Sequence, residues 1–181
     1  MKKLFGLLIA TLLTSGCTSP TKVRAPGVVI SCDQIKFLES ADKSALMGCL
    51  DGSGEINLHQ LKGPLLINVW GSWCEGCKQE MPYFVELYQN PLFKSGQIQM
   101  LGVNVEEKSK EDAIDYIQKS GMSWPNLEDS SGISKSIFGP GVPVTWFIDE
   151  NGKNIETKIG AYINKNQLFN QVETNKPAST D

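Results

Sequence analysis

The apolar residues of this chain fall into runs that alternate between the spacing of strands and the spacing of helices. A near-continuous apolar run over residues 65–70 predicts a strand covered on both faces. Residues 76–89 carry apolar side chains at helical spacing, and Pro82 within them predicts a bend because proline removes a backbone donor. Residues 97–105 predict the next strand.

The flanking segments complete this order of elements. A helix is expected to begin after Ser109 and to end at Gly121, and the turn at residues 150–152 between two strand-like runs predicts a hairpin. Shorter predicted elements are a strand over 44–50, helical turns over 57–61 and 133–138, an extended segment over 124–127 and a closing helix over 164–172. This order predicts an α/β fold with a mixed central sheet flanked by helices.

The start of the chain has the pattern of a signal peptide over residues 1–16. Lys2 and Lys3 precede an apolar stretch that ends in small residues. That stretch is too short for a comfortable membrane span. An N-terminal core helix is the alternative interpretation of the same residues.

Residues 13–17 resemble a bacterial lipobox, in which the cysteine is lipidated and becomes the first mature residue. Thr14 departs from that pattern, because an aliphatic residue is commonest there. The match predicts lipidation of Cys17, and two acyl chains would then hold the protein on the extracytoplasmic face of the cell membrane. The alternative is cleavage nearby, with Cys17 left as a stray thiol and the protein secreted.

Composition predicts one domain with flexible ends. Residues 17–30 have little to bury and are typical of a tether, residues 31–173 suffice for a single core, and residues 174–181 predict a flexible tail. The chain has 20 acidic and 17 basic residues, a net charge of −3 and no basic block. Nucleic-acid binding is therefore not expected, because it requires clustered positive charge.

The candidate chemistry lies in a single Cys-x-x-C motif, formed by Cys74 and Cys77 between the strand over 65–70 and the helix that follows. A strand that ends at a helix N-terminus places the first cysteine near free N–H groups, which stabilise a thiolate. The second cysteine lies one turn on and can form a disulfide. We expect a switchable dithiol, since so short a ring is a poor structural staple.

The remaining cysteines predict a second bridge. If Cys17 carries lipid, Cys32 and Cys49 are left as a pair, and an exported compartment permits disulfides. We expect this bridge to be structural, while two buried thiols or a second redox pair stay open as alternatives. No metal site is expected, because His59 is the only histidine and a four-ligand zinc site would require both cysteine pairs.

Two segments carry a resemblance to known proteins: residues 70–82 around the C-x-x-C motif, and residues 141–149 downstream. Together they resemble the thioredoxin-like TlpA/ResA family, within the wider redoxin (AhpC/TSA) superfamily. The similarity covers about residues 45–172. The resemblance implies a thioredoxin-like three-layer sandwich. It also implies an exported, membrane-tethered thiol-disulfide oxidoreductase, of a kind that often acts as a reductant in cytochrome c assembly.

By that resemblance, four residues carry the catalysis. Cys74 is the attacking, solvent-facing thiol and Cys77 the buried resolving thiol. Pro143 matches the family's cis-proline beside the cysteines, although the sequence alone equally allows a trans proline in an edge strand. Glu80 matches an acidic residue that would raise the thiol pKa values and relay a proton to or from Cys77, and a solvated helix residue is the alternative.

Neighbours of these residues are expected to contact the substrate. The Val142 backbone would pair with an extended substrate by strand addition. The charge of Glu75 would oppose thiolate formation at Cys74, which predicts a reductant, because strong oxidants stabilise their reduced form. The expected substrate-contacting residues are Trp73, Glu75, Gly76, Val142 and Thr145.

The resemblance also implies the partners. The substrate would be an exported protein disulfide, in apocytochrome c or a dedicated exported protein, and an integral membrane thiol carrier would supply the electrons. We expect a monomer that needs no cofactor. Two alternatives remain: a thiol peroxidase of the redoxin group, or a copper-binding metallochaperone that uses the C-x-x-C sulfurs as soft ligands.

Overall fold

A computed structural model describes residues 25–38 and 44–177 of the chain. They form seven strands, five α-helices and two short 3₁₀ turns at Cys32–Gln34 and Leu58–Gln60. The elements in chain order are β1 Leu46–Cys49, β2 Glu55–Asn57, β3 Leu65–Trp70, α1 Glu75–Leu87, α2 Pro91–Lys94, β4 Gln99–Val105, α3 Lys110–Ser120, β5 Asn126–Asp129, α4 Ser134–Phe138, β6 Val144–Ile148, β7 Asn154–Ile159 and α5 Lys165–Asn175.

The strands form one mixed sheet in the order β2-β1-β5-β4-β3-β6-β7. Strands β3, β4 and β5 are parallel to one another, and the outer pairs are antiparallel. All residues of β3 and β4 are buried, as expected for central strands covered on both faces. The α/β sandwich predicted from the sequence is therefore confirmed.

The observed elements agree with the prediction in order and differ in detail. Strand β2 was not predicted, because three residues after a turn carry too little periodicity to be recognised before their pairing with β1 is known. Helix α1 runs from Glu75 to Leu87 as one helical segment, and Pro82 lies within it. The tail predicted from residue 174 is wrong at its start, because α5 continues to Asn175, whose side chain donates to the Gln171 carbonyl and to Glu156.

A buried asparagine at the start of β5 reaches across β4 to the last residue of β3. The Trp70 indole N–H donates to Asn126 Oδ1 at 2.9 Å, and Asn126 Nδ2 donates to the Trp124 carbonyl. The Asn126 side chain reaches Trp70 across Gly102 of β4, where an added Cβ would lie 1.7 Å from Asn126 Oδ1. A glycine at position 102 therefore leaves room for the hydrogen bond between Asn126 and Trp70. This bond holds the Trp70 side chain in place, four residues before Cys74.

The predicted signal peptide, Cys17 and most of the predicted tether lie outside the described residues. Within the described residues, no helix has the length and apolar character that a membrane crossing requires.

A second disulfide holds the N-terminal segment to the sheet. Cys32 in the first 3₁₀ turn is bonded to Cys49 at the end of β1, with a Cα–Cα distance of 6.1 Å. Both residues are buried, and Cys32 lies beside the Asn126 carbonyl of β5. The bridge ties the short segment before β1, which has few buried residues of its own, to the sheet. This arrangement suits a structural disulfide.

Replacing both cysteines, in C32A/C49A, should lower the free energy of unfolding by about 3 kcal/mol, because the bridge restricts the unfolded chain over a separation of 17 residues. Urea unfolding without reductant measures the effect. In dithiothreitol both proteins lack the bridge, so most of the difference should vanish. Equal midpoints without reductant would show that the bridge does not stabilise the fold.

Candidate active site

The two cysteines of the C-x-x-C motif lie at the start of α1. Cys74 is the N-cap residue, and its Sγ accepts a hydrogen bond from the Cys77 N–H at 3.1 Å. The two sulfurs form a disulfide, with a Cα–Cα distance of 5.2 Å. Backbone donors and the positive end of the helix dipole therefore face Cys74, which is the environment that stabilises a thiolate there once the bond is reduced.

The expectation that Cys74 faces solvent is wrong for this disulfide form. Cys74 is 6% exposed and Cys77 is fully buried. The bond draws Cys74 Sγ toward the buried Cys77 sulfur, and both residues pack in the apolar cluster between the sheet and α1. Cys74 is still the more accessible of the two sulfur-bearing residues.

Glu107 anchors the loop that precedes Cys74. Its carboxylate accepts hydrogen bonds from the Ser72 N–H and hydroxyl, both at 2.6 Å, and from Asn104 Nδ2 at 2.7 Å. The neighbouring Trp73 indole donates to the Val105 carbonyl at 3.2 Å. Sequence reasoning missed Glu107, although parallel β3 and β4 end at the same edge of the sheet and residues just after β4 therefore lie beside the motif.

Pro143 and the loop after β7 close the opposite side of the motif. The Val142–Pro143 peptide bond is cis, and the Pro143 carbonyl accepts from the Gly160 N–H at 2.9 Å. A Cβ placed on Gly76 would lie 3.3 Å from Pro143 Cδ and 3.5 Å from Ala161 Cβ. The structure thus brings together three segments that are far apart in the sequence.

Glu80 is a fully buried carboxylate one helical turn after Cys77. Its Oε1 accepts from Asn68 Nδ2 of β3, and its Oε2 accepts from the Tyr162 N–H, both at 3.0 Å. Burial raises the pKa of Glu80 from an ordinary value of 4.5 to about 7, against the two hydrogen bonds and the charge of Lys158, which lower the pKa. This carboxyl can therefore gain or lose a proton near neutral pH.

The buried Asn68 amide suits the protonated form of Glu80 as well. Asn68 Oδ1 has no hydrogen-bond partner among the residues that the structure describes. Rotating the amide by half a turn would present this oxygen to Glu80, and a protonated carboxyl would then donate to it. The same pair of side chains can satisfy both protonation states.

The residues predicted to contact the substrate divide into two groups. Trp73 is 48% exposed, the Glu75 side chain is exposed beside Lys78, and Gly76 and Val142 are half-buried. Trp73 and Val142 line the same groove. The prediction for Thr145 is wrong, because this residue lies opposite Asn68 on the face toward α1, is 1% exposed and hydrogen-bonds with Tyr162.

The described residues contain one cluster with metal-ligand types, formed by Cys32, Cys49 and Asp51. Its two sulfurs are bonded to each other, so they cannot act as thiolate ligands in this form.

Comparison with known proteins identifies the family. Residues 40–156 match the AhpC/TSA family. The chain belongs to this family. The two sequence motifs predicted a resemblance to TlpA/ResA proteins. This prediction is also confirmed, because curated relatives of this chain are thiol-disulfide oxidoreductases named ResA.

Two such relatives come from the genera Geobacillus and Bacillus. The ResA protein of Geobacillus thermodenitrificans is 32% identical over 114 residues, which are 62% of this chain and 63% of the relative. The ResA protein of Bacillus subtilis is 30% identical over 127 residues, or 69% of each chain. The chain thus spans somewhat less than two thirds of the Geobacillus protein.

Solved structures support the fold. StoA from Bacillus subtilis has a TM-score of 0.54 and 25% identity, covering 68% of this chain and 91% of StoA. A secreted Mycobacterium tuberculosis disulfide oxidoreductase has a TM-score of 0.60 and 17% identity, covering 71% of this chain and 94% of that protein. The predicted thioredoxin-like sandwich is thereby confirmed.

Replacing Glu80 by glutamine should stabilise the protein relative to wild type as the pH rises. The pKa of Glu80 is higher in the folded than in the unfolded protein. Its favourable contribution to the free energy of unfolding is therefore fully present below about pH 4.5 and is lost as the pH rises through about 7. From about pH 5 to about pH 8, the free energy of unfolding of E80Q should rise relative to that of wild type by up to about 3 kcal/mol. Urea unfolding at both pH values, without reductant, measures it.

Glu86 provides the matched control, since it lies on the same helix, is exposed and pairs with Lys165. The difference between wild type and E86Q should change little over this pH range. A difference between wild type and E80Q that is independent of pH would show that Glu80 titrates normally.

Proposed function

We propose that this protein is an extracytoplasmic thiol-disulfide oxidoreductase that reduces protein disulfides through Cys74 and Cys77. The observation that carries the proposal is the redox-capable pair at the start of α1, with cis-Pro143 on one side and buried Glu80 one turn behind. The similarity to ResA proteins supports the same activity.

In the first step, the reduced protein attacks the substrate. The Cys74 thiolate forms a bond to one substrate sulfur, the substrate S–S bond breaks, and the other substrate sulfur leaves as a thiolate that takes a proton. The helix N-terminus stabilises the attacking thiolate, as judged from the contact between Cys74 Sγ and the Cys77 N–H. The product is a mixed disulfide.

In the second step, Cys77 releases the substrate. Its thiol loses a proton, attacks Cys74 Sγ and displaces the second substrate thiolate, which takes up a proton. Two electrons have then passed to the substrate. Of the two protons on the product thiols, one is balanced by the proton that Cys77 loses and the other comes from solvent. Glu80 is suited to take the proton from Cys77, because its pKa of about 7 leaves a substantial ionised fraction at neutral pH. The two residues are one turn apart on the buried face of α1.

The substrate is proposed to lie across Trp73, Glu75, Gly76 and Val142, which have exposed or half-buried surface around the disulfide. An extended substrate segment would pair with the Val142 backbone. Exposed Glu75 disfavours the Cys74 thiolate, while Lys78 at 3.9 Å offsets part of this charge. The redox potential should therefore lie nearer to about −270 mV than to about −120 mV, the range between thioredoxin and strong oxidants.

The location and partners belong to the same proposal. Residues 1–17 suit export and lipidation at Cys17, so the domain would act outside the membrane while held to it by its lipid. The oxidised protein then requires an integral membrane thiol donor to reduce it. An exported protein such as apocytochrome c would receive the electrons.

Replacing the resolving cysteine, in C77S, should trap a mixed disulfide with a protein substrate, because the second attack is lost. C74S should abolish turnover by removing the attacking thiol. Insulin reduction with dithiothreitol measures turnover, and non-reducing electrophoresis detects the trapped adduct. Full activity in both variants would contradict the mechanism.

The C32A/C49A protein is the matched control, since it removes the other disulfide and should keep insulin reduction. Assays with hydrogen peroxide and with Cu(I) separate the two alternatives. Peroxide turnover that survives in C77S would indicate a peroxidase, and tight Cu(I) binding without insulin reduction would indicate a copper carrier.

A further inference from the structure

Lys158 makes an unusual set of contacts at the end of β7. Its Nζ donates hydrogen bonds to three successive carbonyl oxygens, those of Ile159 at 2.8 Å, Gly160 at 2.9 Å and Ala161 at 3.3 Å. These carbonyls can converge because Gly160 has a φ of 81°, a conformation that other residues rarely adopt. The three donors of one ammonium group thus fold the backbone around it.

The segment folded around Lys158 touches each part of the proposed active site. The Gly160 N–H donates to the Pro143 carbonyl at 2.9 Å, and Ala161 Cβ lies next to Gly76. The next residue, Tyr162, donates its N–H to Glu80 Oε2 at 3.0 Å. Displacing this loop would therefore change the surroundings of Pro143, of the C-x-x-C motif and of Glu80 together.

The ammonium group is also the cation that acts on buried Glu80. It lowers the pKa of Glu80 and lies 5.5 Å from the centre of the Tyr162 ring. The nearest acidic side chain on β7, Glu156, is held by Gln171 and Asn175 of α5. The other titratable or charged groups around Glu80 are Tyr162, Tyr116 on α3, and Cys77, Glu75 and Lys78 on α1.

We propose that Lys158 is a positioning residue for disulfide exchange: its ammonium group holds the 159–161 backbone against Pro143 and Gly76 and keeps the Tyr162 N–H on Glu80. The proposal rests on the proposed function, since it assigns Lys158 a role in the reaction of that site. Lys158 acts through the backbone and through Glu80, and does not itself touch the sulfurs.

Replacing Lys158 by methionine removes the charge and the three donors but keeps a side chain of similar length. K158M should lower the rate of insulin reduction about tenfold at pH 7, because the loop and Glu80 are no longer held in place. The protonation midpoint of Glu80 should move to higher pH, because the cation is gone. Carboxyl-carbon NMR of glutamate-labelled oxidised protein follows that midpoint without any need for activity.

Two further variants make the test specific. K158R keeps a cation with several donors and should recover most of the rate and a midpoint close to that of wild type. K165M removes an exposed lysine paired with Glu86 and should change neither quantity. Circular dichroism establishes that each variant is folded, and K158Q replaces K158M if the latter does not fold.

An unchanged rate and midpoint in K158M would overturn the proposal. A lower rate with an unchanged midpoint, not restored by K158R, would also overturn it, because the lysine would then have a merely structural role. If wild type itself fails to reduce insulin, the proposed function fails, yet the NMR midpoints still decide whether Lys158 controls Glu80.

Discussion

The burial of one carboxylate constrains much of this structure. A charged group removed from water needs hydrogen bonds, and Glu80 obtains them from Asn68 in the sheet and from the Tyr162 backbone after β7. Glu80 itself belongs to the helix that carries Cys77. Helix, sheet and loop must therefore meet at one point, and any shift of one of them would leave a buried polar group without a partner.

That same burial gives the site its proton chemistry. Desolvation outweighs the two hydrogen bonds and the charge of Lys158, so the pKa of Glu80 settles at about 7. Burial also raises the pKa of Tyr116 and Tyr162, which therefore stay protonated and neutral at neutral pH. A carboxyl with a pKa of about 7 can exchange a proton near neutral pH, which is what the proposed role of Glu80 beside Cys77 requires.

The sequence predicted the parts of the fold that depend on local pattern. Strands β3 and β4, the β6–β7 hairpin and the start of α1 follow from apolar runs, turn residues and capping, all of which are read within a few positions. Glu107 and Lys158 escaped notice because their roles depend on contacts with distant segments, such as that between Glu107 and Ser72. Thr145 was misjudged for the same reason, since the face of β6 that α1 covers is set by the packing of the whole sheet.

Two charged side chains of opposite sign hold the two sides of the site. On one side, the Glu107 carboxylate accepts hydrogen bonds from the N–H and hydroxyl groups of the loop before Cys74. On the other side, the Lys158 ammonium group donates hydrogen bonds to carbonyl groups of the loop behind Pro143. Both loops are irregular backbone, and the second is also tied to the sheet by the backbone hydrogen bond from the Gly160 N–H to the Pro143 carbonyl. The hydrogen bonds that fix each loop therefore involve neither cysteine side chain. For the proposed disulfide exchange, the backbone on both sides of the cysteine pair is thus already ordered by contacts other than the disulfide.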